Sequence, residues 1–592
     1  MKINDQNLSN NNINSIFSED MIFRIPYYQR NYSWETDNIN QLLLDIKTLA
    51  DPETRKYKKK HFLGIVISKQ NGGKLDVIDG QQRIATIVVI ANALIKFADK
   101  ENYNLDDNKN RRDNLKEIIY CKQRNAKPTI KLQLENDTKD NDALKQILNP
   151  KLKITNKDNL LHNTNRKVTE FLKKNIVTIK DFKDFCDAFL DLQMINMILY
   201  EGDDNPQNVF ESINSKGENL SNADKIKNFI FMRIFDEEMQ SELYKTYWIK
   251  IEKFLKASPN KIQNFFRDYV TIKTKEYIPS PSQKLYNHFS KNFYNSFVDD
   301  KAENSLEEIQ KFLFIYVSCN YKYEEVEKFL SDTDGWEIFK NMNKIVSKTY
   351  LLGLEAASVG VIYFANLYYE KKITKTIFEG IVNVLNIYTV RWQFRSARGH
   401  LNIHYLKIIN FFEFLMTNPD FPDYRYREEL KDFIKLENLD KKNFYEDNKL
   451  KLLDSDQGSY AEDNELKFLF NSSTNADLNT YIIKEIEKTK NKENFSKMDT
   501  IEHVWPINSI DNIWPYNPTK KQFCKKIGNL ALMEKEFNQS AGDKNFSNKK
   551  LFYENSKSYT LENIKNFTEW TEKTIDKNAE KLFDDFKRIF RF

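Results

Sequence analysis

The run KLDVIDGQQRIATIVVIANALIKFADK, residues 74–100, restricts the possible folds more than any other part of the chain. Its first six residues are β-rich, and from Gln81 onward it is apolar on most faces and long enough for a helix. A helix that is apolar all round cannot face water, so other elements must enclose it. Just upstream, HFLGIVIS at 61–68 and the turn Asn71-Gly72-Gly73 make a β-hairpin with Lys74–Asp79. A second glycine, Gly80, separates the hairpin from the helix. Earlier still, FRIPYYQRNYSW at 23–34 is an extended aromatic stretch. It feeds a helix whose apolar residues fall at 39, 42, 43, 46 and 49.

Beyond this region the chain lacks the residues that break helices. Gly and Pro number 14 and 13 in 592 residues, well under half of the usual share of about 12%. Long helices are expected, and helical periodicity dominates from about 100 to 410 with no internal repeat. Residues 418–475 turn polar and charged and hold a domain junction. The expected fold class is α+β and predominantly helical, divided as 1–235, a helical body 236–420, and 421–592. Lys and Arg total 91 against 86 Asp and Glu, so the net charge of +5 excludes a polycation that binds nucleic acid by bulk charge. Four cysteines without a CxxC pair argue against a disulfide framework or a thiolate zinc site, and a reducing cytoplasm fits best. The N-terminus has no apolar signal-like run, and Ile84–Ala98 and Leu351–Tyr369 read as buried helices rather than membrane spans.

Two places carry chemistry. At the first, Asp79-Gly80 ends a strand and the helix start points its backbone N–H groups outward beside Arg83, a geometry that binds phosphate. Gln81 and Gln82 can donate amide hydrogen bonds, Arg83 can pair bidentately, and Asp79 can hold a metal or a water. The plainer reading of the same residues is a helix capped by Asp79. Further on, in SINSKGENLSNADKIKN (212–228), Gly217 makes a turn, Ser221 caps the next helix and Asp224 stands in its first turn.

The second place is residues 500–550. TIEHVWPIN ends a short β-rich run in Glu502-His503, and IGNLALMEKEFN adds Asn529 and Asn538. An acid, a histidine and two asparagines suit metal-assisted phosphodiester hydrolysis. An imidazole deprotonates water while oxygen ligands hold a hard divalent cation. Lys544, Lys549 and Lys550 either contact phosphate or are solvated surface. Weaker features are Arg391, Arg395 and Arg398 beside Trp392 and Phe394, which suit nucleic acid and an internal interface equally. His400 and His404 sit four apart but lack a third ligand, and Gly399 interrupts their helix.

The segment with Glu502-His503, Asn529-Leu530 and Asn538 resembles the HNH, or ββα-metal, nuclease motif. With EHVWP, Trp514, IGNLALM, Phe546 and Lys549-Lys550 it is similar to the HNH variant at the C-terminus of GmrSD-type restriction proteins, over about 500–555. That resemblance makes His503 the general base and Glu502 and Asn538 the ligands of Mg²⁺ or Mn²⁺, with Asn529 fixing the His-bearing loop. It lacks the zinc-knuckle cysteines of many HNH proteins, so packing alone must hold the module. PYYQRNYSW, HFLGIVI, VIDGQQRIATI and VFESINSKGENLSNADKIKNFIF together resemble the ParB/sulfiredoxin-like family with its DGQQR hallmark, over about 23–235. The implied site binds and hydrolyses a nucleoside triphosphate through Asp79, Gly80, Gln81, Gln82 and Arg83, with Gln29 and Arg30 nearby, and the same resemblance puts Asn214, Lys216, Gly217 and Lys225 at the border of that pocket.

The resemblances together imply an NTP-regulated, metal-dependent endonuclease of antiphage defence, cytoplasmic, acting on modified phage DNA, with a homo-oligomer possible. Two other readings stand beside it. One is an RNA- or host-directed abortive nuclease, and the other a non-catalytic, nucleotide-dependent DNA-binding regulator.

Overall fold

The computed structural model describes residues 8–591 apart from 58–59, 106–109, 123–128, 136–137, 150, 155, 201–220, 235, 280–283, 299–300, 395–400, 418–424, 440–462, 509–513 and 515–519. The chain forms two compact units. One comprises Met1–Gln263 and Gln283–Glu307, the other Asn264–Ser282 and Glu308–Phe592. The architecture is α+β and mostly helical. Among the described residues no helix is long and apolar enough to cross a membrane.

The first unit is built on a six-stranded mixed sheet. Its strands are β1 (Leu8–Asn12), β2 (Ile22–Ile25), β3 (Phe62–Asn71), β4 (Lys74–Asp79), β5 (Leu132–Leu134) and β6 (Gln193–Leu199), in the order β1-β6-β3-β4-β2-β5. β3 and β4 form the expected antiparallel hairpin, and β4 lies parallel to β2. Alternation along the strands sorts side chains to two faces. Phe23, Ile25, Val66, Leu75 and Val77 enter the main core together with Ile84, Val88 and Val89 of the Gln81–Glu101 helix. That helix is buried at nearly every position through Leu94, as a sequence apolar on most faces requires. On the other face, Arg24 and Asp76 form a buried bidentate pair, with Nε–Oδ1 and Nη2–Oδ2 both at 2.5 Å. A cavity of about 770 Å³ opens there, lined by Arg24, Tyr27, Tyr28, Asp76, Ile78 and Lys245 among others.

In the second unit the Leu351–Tyr369 segment is helical only from Ser358 to Tyr369, preceded by a short 3₁₀ turn at Glu355–Ala357. Gly353, at φ +70°, turns the chain there, and Glu355 is drawn to Arg267 at 2.6 Å. These contacts outweigh the apolar continuity of the sequence. Nearer the C-terminus, β7 (Thr500–His503) pairs antiparallel with β8 (Leu530–Met533), and the Lys535–Ala541 helix follows at once. All four residues of β8 are buried. Leu530 and Leu532 pack with Ile483, Ile486 and Phe583, whereas Ala531 and Met533 join Trp505, Tyr553 and Ile575. This two-sided burial explains why LALM carries no polar residue.

Candidate functional site

His503 is the last residue of β7, opposite Leu530, and its side chain is half-buried. The chain leaves the strand through Val504 and Trp505, and Asn529 holds this exit. Val504 N–H donates to the Asn529 carbonyl at 3.0 Å. The Asn529 side-chain Oδ1 accepts from Trp505 N–H and from the Trp570 indole, each at 2.8 Å. Its Nδ2 donates to the Trp505 carbonyl at 2.9 Å and to Cys524 O at 3.0 Å. The amide is fully buried and uses both ends. Gly528 lets the Glu572–Ile589 helix approach: a Cβ there would meet Ile575 O at 2.1 Å. Burial, reinforced by the Lys549 ammonium, holds the His503 imidazole below its ordinary range, so it is neutral at neutral pH.

Thr500 and Glu502 alternate with Ile501 and His503 along β7. Asn538 donates to Thr500 Oγ1 at 2.9 Å from the Lys535–Ala541 helix. Glu502 is 3% exposed, and its Oε1 accepts from Lys549 Nζ and from the Tyr553 hydroxyl, both at 2.6 Å. Lys549 also donates to the His503 carbonyl at 3.0 Å. Burial pushes the Glu502 carboxyl up and the Lys549 amine down, and their contact offsets part of each shift. Lys549 is therefore an interior residue rather than a surface one, because it neutralises a buried carboxylate. Lys544 is exposed and Lys550 half-buried, the latter donating to Phe567 O at 3.0 Å. Tyr553 and Trp570 were not evident from the motif. Tyr553 lies four residues beyond Lys549 on the Phe546–Asn555 helix, a spacing that puts the two side by side.

The donor types at this centre suit a hard divalent cation, since Glu502 supplies an anionic oxygen and Asn538 a neutral amide oxygen. Such a cation takes few protein ligands when substrate phosphate completes its shell. Among the described residues no group of three or more His, Cys, Asp or Glu side chains is placed to hold a metal. The cation that Glu502 meets in this structure is the Lys549 ammonium, at 2.6 Å.

At the other constellation, Gly80, not Asp79, occupies the N-cap of the Gln81–Glu101 helix, at φ +94° and with no side-chain cap. A Cβ at Gly80 would stand 2.6 Å from Val66 Cγ2, so the turn admits only glycine. Asp79 instead lies 3.6 Å from Arg83 Nη1, and Arg83 donates to Ile65 O at 2.7 Å, its guanidinium packed over Gly64. Arg83 keeps 30% of its side chain exposed. Gln81 Oε1 is buried without a hydrogen-bond partner among the described residues. Gln82 and Gln29 are turned to the protein. Gln82 accepts from Ser33 N–H at 2.8 Å and donates to Asn31 O at 3.1 Å, while Gln29 donates to Ile78 O at 3.0 Å. They are 5% and 2% exposed, so they fix the 29–33 segment to the turn. Arg30 is half-buried beside them. Lys227, not singled out in the sequence, reaches Gln29 O at 3.4 Å and Glu252 at 3.3 Å.

Ser221 caps its helix through Asp224 N–H at 3.1 Å, as its position in the sequence indicates. Asn214, Lys216 and Gly217 lie outside the described residues, as do Arg395, Arg398 and His400. Arg391 is 5% exposed and donates to Phe590 O at 3.2 Å, which makes it an interior residue.

The two constellations fall within two independent family matches. Residues 8–231 match the N-terminal domain of the GmrSD restriction endonuclease, and residues 455–585 match the C-terminal domain of GmrSD restriction endonucleases. A chain carrying both is a restriction nuclease. It belongs to the GmrSD-type restriction endonucleases. No curated protein matches it.

Proposed function

We propose that the chain is a metal-dependent DNA endonuclease of the HNH type, gated by a nucleoside triphosphate and directed at modified phage DNA. One observation carries the reading. His503 stands at the end of a strand whose exit Asn529 locks through both ends of its amide. A neutral imidazole in a fixed place is what a general base needs near pH 7. His503 takes the proton of the attacking water, and Asn529 keeps its strand end in register with Leu530. Glu502 and Asn538 would hold Mg²⁺ or Mn²⁺, which when bound supplies charge stabilisation at the leaving oxygen. Exposed Lys544 and half-buried Lys550 stand on or near the helices beside the centre and supply positive charge for the DNA backbone.

At the other site Asp79, Gly80, Gln81 and Arg83 would contact the nucleoside triphosphate, with Gln29, Arg30 and Gln82 shaping the turn. The Gln81 side-chain oxygen, buried without a partner among the described residues, supports a nucleotide here as an acceptor for a sugar hydroxyl or a base N–H rather than for the phosphates. A free nuclease endangers its own host, and a nucleotide-dependent gate restricts cutting if the two states bind nucleotide differently. The test pairs wild type with His503→Ala and Arg83→Ala. The first variant should lose cleavage and keep nucleotide hydrolysis, and the second should bind nucleotide weakly while its nuclease unit stays folded. Normal cutting by His503→Ala would remove the assignment.

A further inference from the structure

In this fold the Glu502 carboxylate already has a cation. Lys549 and Glu502 side chains are 1% and 4% exposed, and the ammonium lies 2.6 Å from Oε1. The Tyr553 hydroxyl donates to the same oxygen, so the pair is enclosed rather than washed by solvent. A buried carboxylate without a partner is costly, and Lys549 supplies the partner. The same ammonium has a second acceptor in the His503 carbonyl, so it can leave Oε1 without losing all its hydrogen bonds. A divalent cation on Glu502 and an ammonium on the same oxygen would repel strongly in so dry a place.

We infer that Lys549 is the resident counter-cation of Glu502, and that a divalent cation binds this centre only by drawing the Lys549 ammonium off Oε1. The inference rests on the reading of Glu502 as a metal ligand. Lys549 is then a positioning residue, which keeps the carboxylate and the end of the His503 strand in place while no metal is bound. The free protein binds the cation weakly, and anything that moves the Phe546–Asn555 helix, which carries Lys549, retunes that affinity.

The test is calorimetric titration of the full chain with Mn²⁺, without DNA or nucleotide, for wild type, Lys549→Gln, Lys549→Arg and Glu502→Gln. Lys549→Gln should bind Mn²⁺ about tenfold or more tighter than wild type, because the competing charge is gone while a hydrogen-bonding group remains. Lys549→Arg keeps the charge and should stay near wild type, and Glu502→Gln should lose the site. Unchanged or weaker binding by Lys549→Gln, with loss in Glu502→Gln, overturns the inference and leaves the metal reading standing. Unchanged binding by Glu502→Gln overturns the metal reading itself. Should Lys549→Gln fail to fold, a wild-type crystal soaked in Mn²⁺ decides. Anomalous density on Glu502 with Lys549 Nζ beyond hydrogen-bond reach of Oε1 supports the inference, and the contact kept beside bound Mn²⁺ defeats it.

Discussion

The Asn529 side chain grips Trp505 at both ends of its backbone, accepting from its N–H at 2.8 Å and donating to its carbonyl at 2.9 Å. Four hydrogen bonds converge on this one buried amide. Truncation would leave buried N–H groups and carbonyls unpaired, at about 1–3 kcal/mol each. Asn529→Ala should therefore destabilise the nuclease end by roughly 3 kcal/mol and abolish cleavage. Urea unfolding followed by tryptophan emission is the measurement, since Trp505 and Trp570 both touch the amide. A variant as stable as wild type would show that the grip is incidental.

Gly528 and Gly73 make a matched pair of substitutions. A Cβ at Gly528 runs into the Ile575 carbonyl at 2.1 Å, whereas nothing lies within 4 Å of one at Gly73. Gly528→Ala should cost about 3 kcal/mol or more, as overpacking against rigid backbone does. Gly73→Ala should stay within about 0.5 kcal/mol of wild type. Thermal melting of both full-length variants separates the two expectations.

The DGQQR residues should divide by role. Gln82 has both ends of its amide engaged by Ser33 and Asn31, so Gln82→Ala should lower stability by about 1–3 kcal/mol and weaken nucleotide binding only through that loss. Arg83, 30% exposed, should behave oppositely: Arg83→Ala should melt close to wild type and bind nucleotide at least about tenfold more weakly. Melting curves alongside titrations with ATP and GTP check both, and equal nucleotide affinity in Arg83→Ala would break the assignment.

His404 sets a pH dependence in the second unit. Burial, with Lys407 adding to it, lowers its pKa from 6.5 to about 4. The unfolded chain thus binds a proton over that interval while the folded chain does not. The stability linked to His404 is fully present above pH 6.5 and is lost as pH falls toward 4. His404→Leu should flatten the decline in melting temperature between pH 7 and 4 relative to wild type. An unchanged slope would show that the ring is already protonated in the fold.

The sequence exposed elements where local chemistry and burial agreed. VIDG followed by a run apolar on most faces read as a strand, a glycine turn and an enclosed helix, and β4 and the Gln81–Glu101 helix stand there. Side-chain partners were another matter. Lys549 read as a possible phosphate contact because one lysine in a lysine-rich chain looks like another, and only the fold brings it against Glu502, 47 positions away. Gln29 and Gln82 looked like ligand donors for the same reason, since their backbone partners lie 49 to 51 positions off. The largely apolar pattern at 351–369 hid a turn set by Gly353 and by the pairing of Glu355 with the distant Arg267.

The most direct test of the central claim incubates wild type and His503→Ala with unmodified plasmid and with modified phage DNA, in Mg²⁺ or Mn²⁺, with and without NTP. Loss of intact modified DNA with wild type alone, dependent on both metal and nucleotide, is the predicted result. Equal cutting by His503→Ala, or nucleotide hydrolysis and DNA binding with no cutting under any condition, would contradict it.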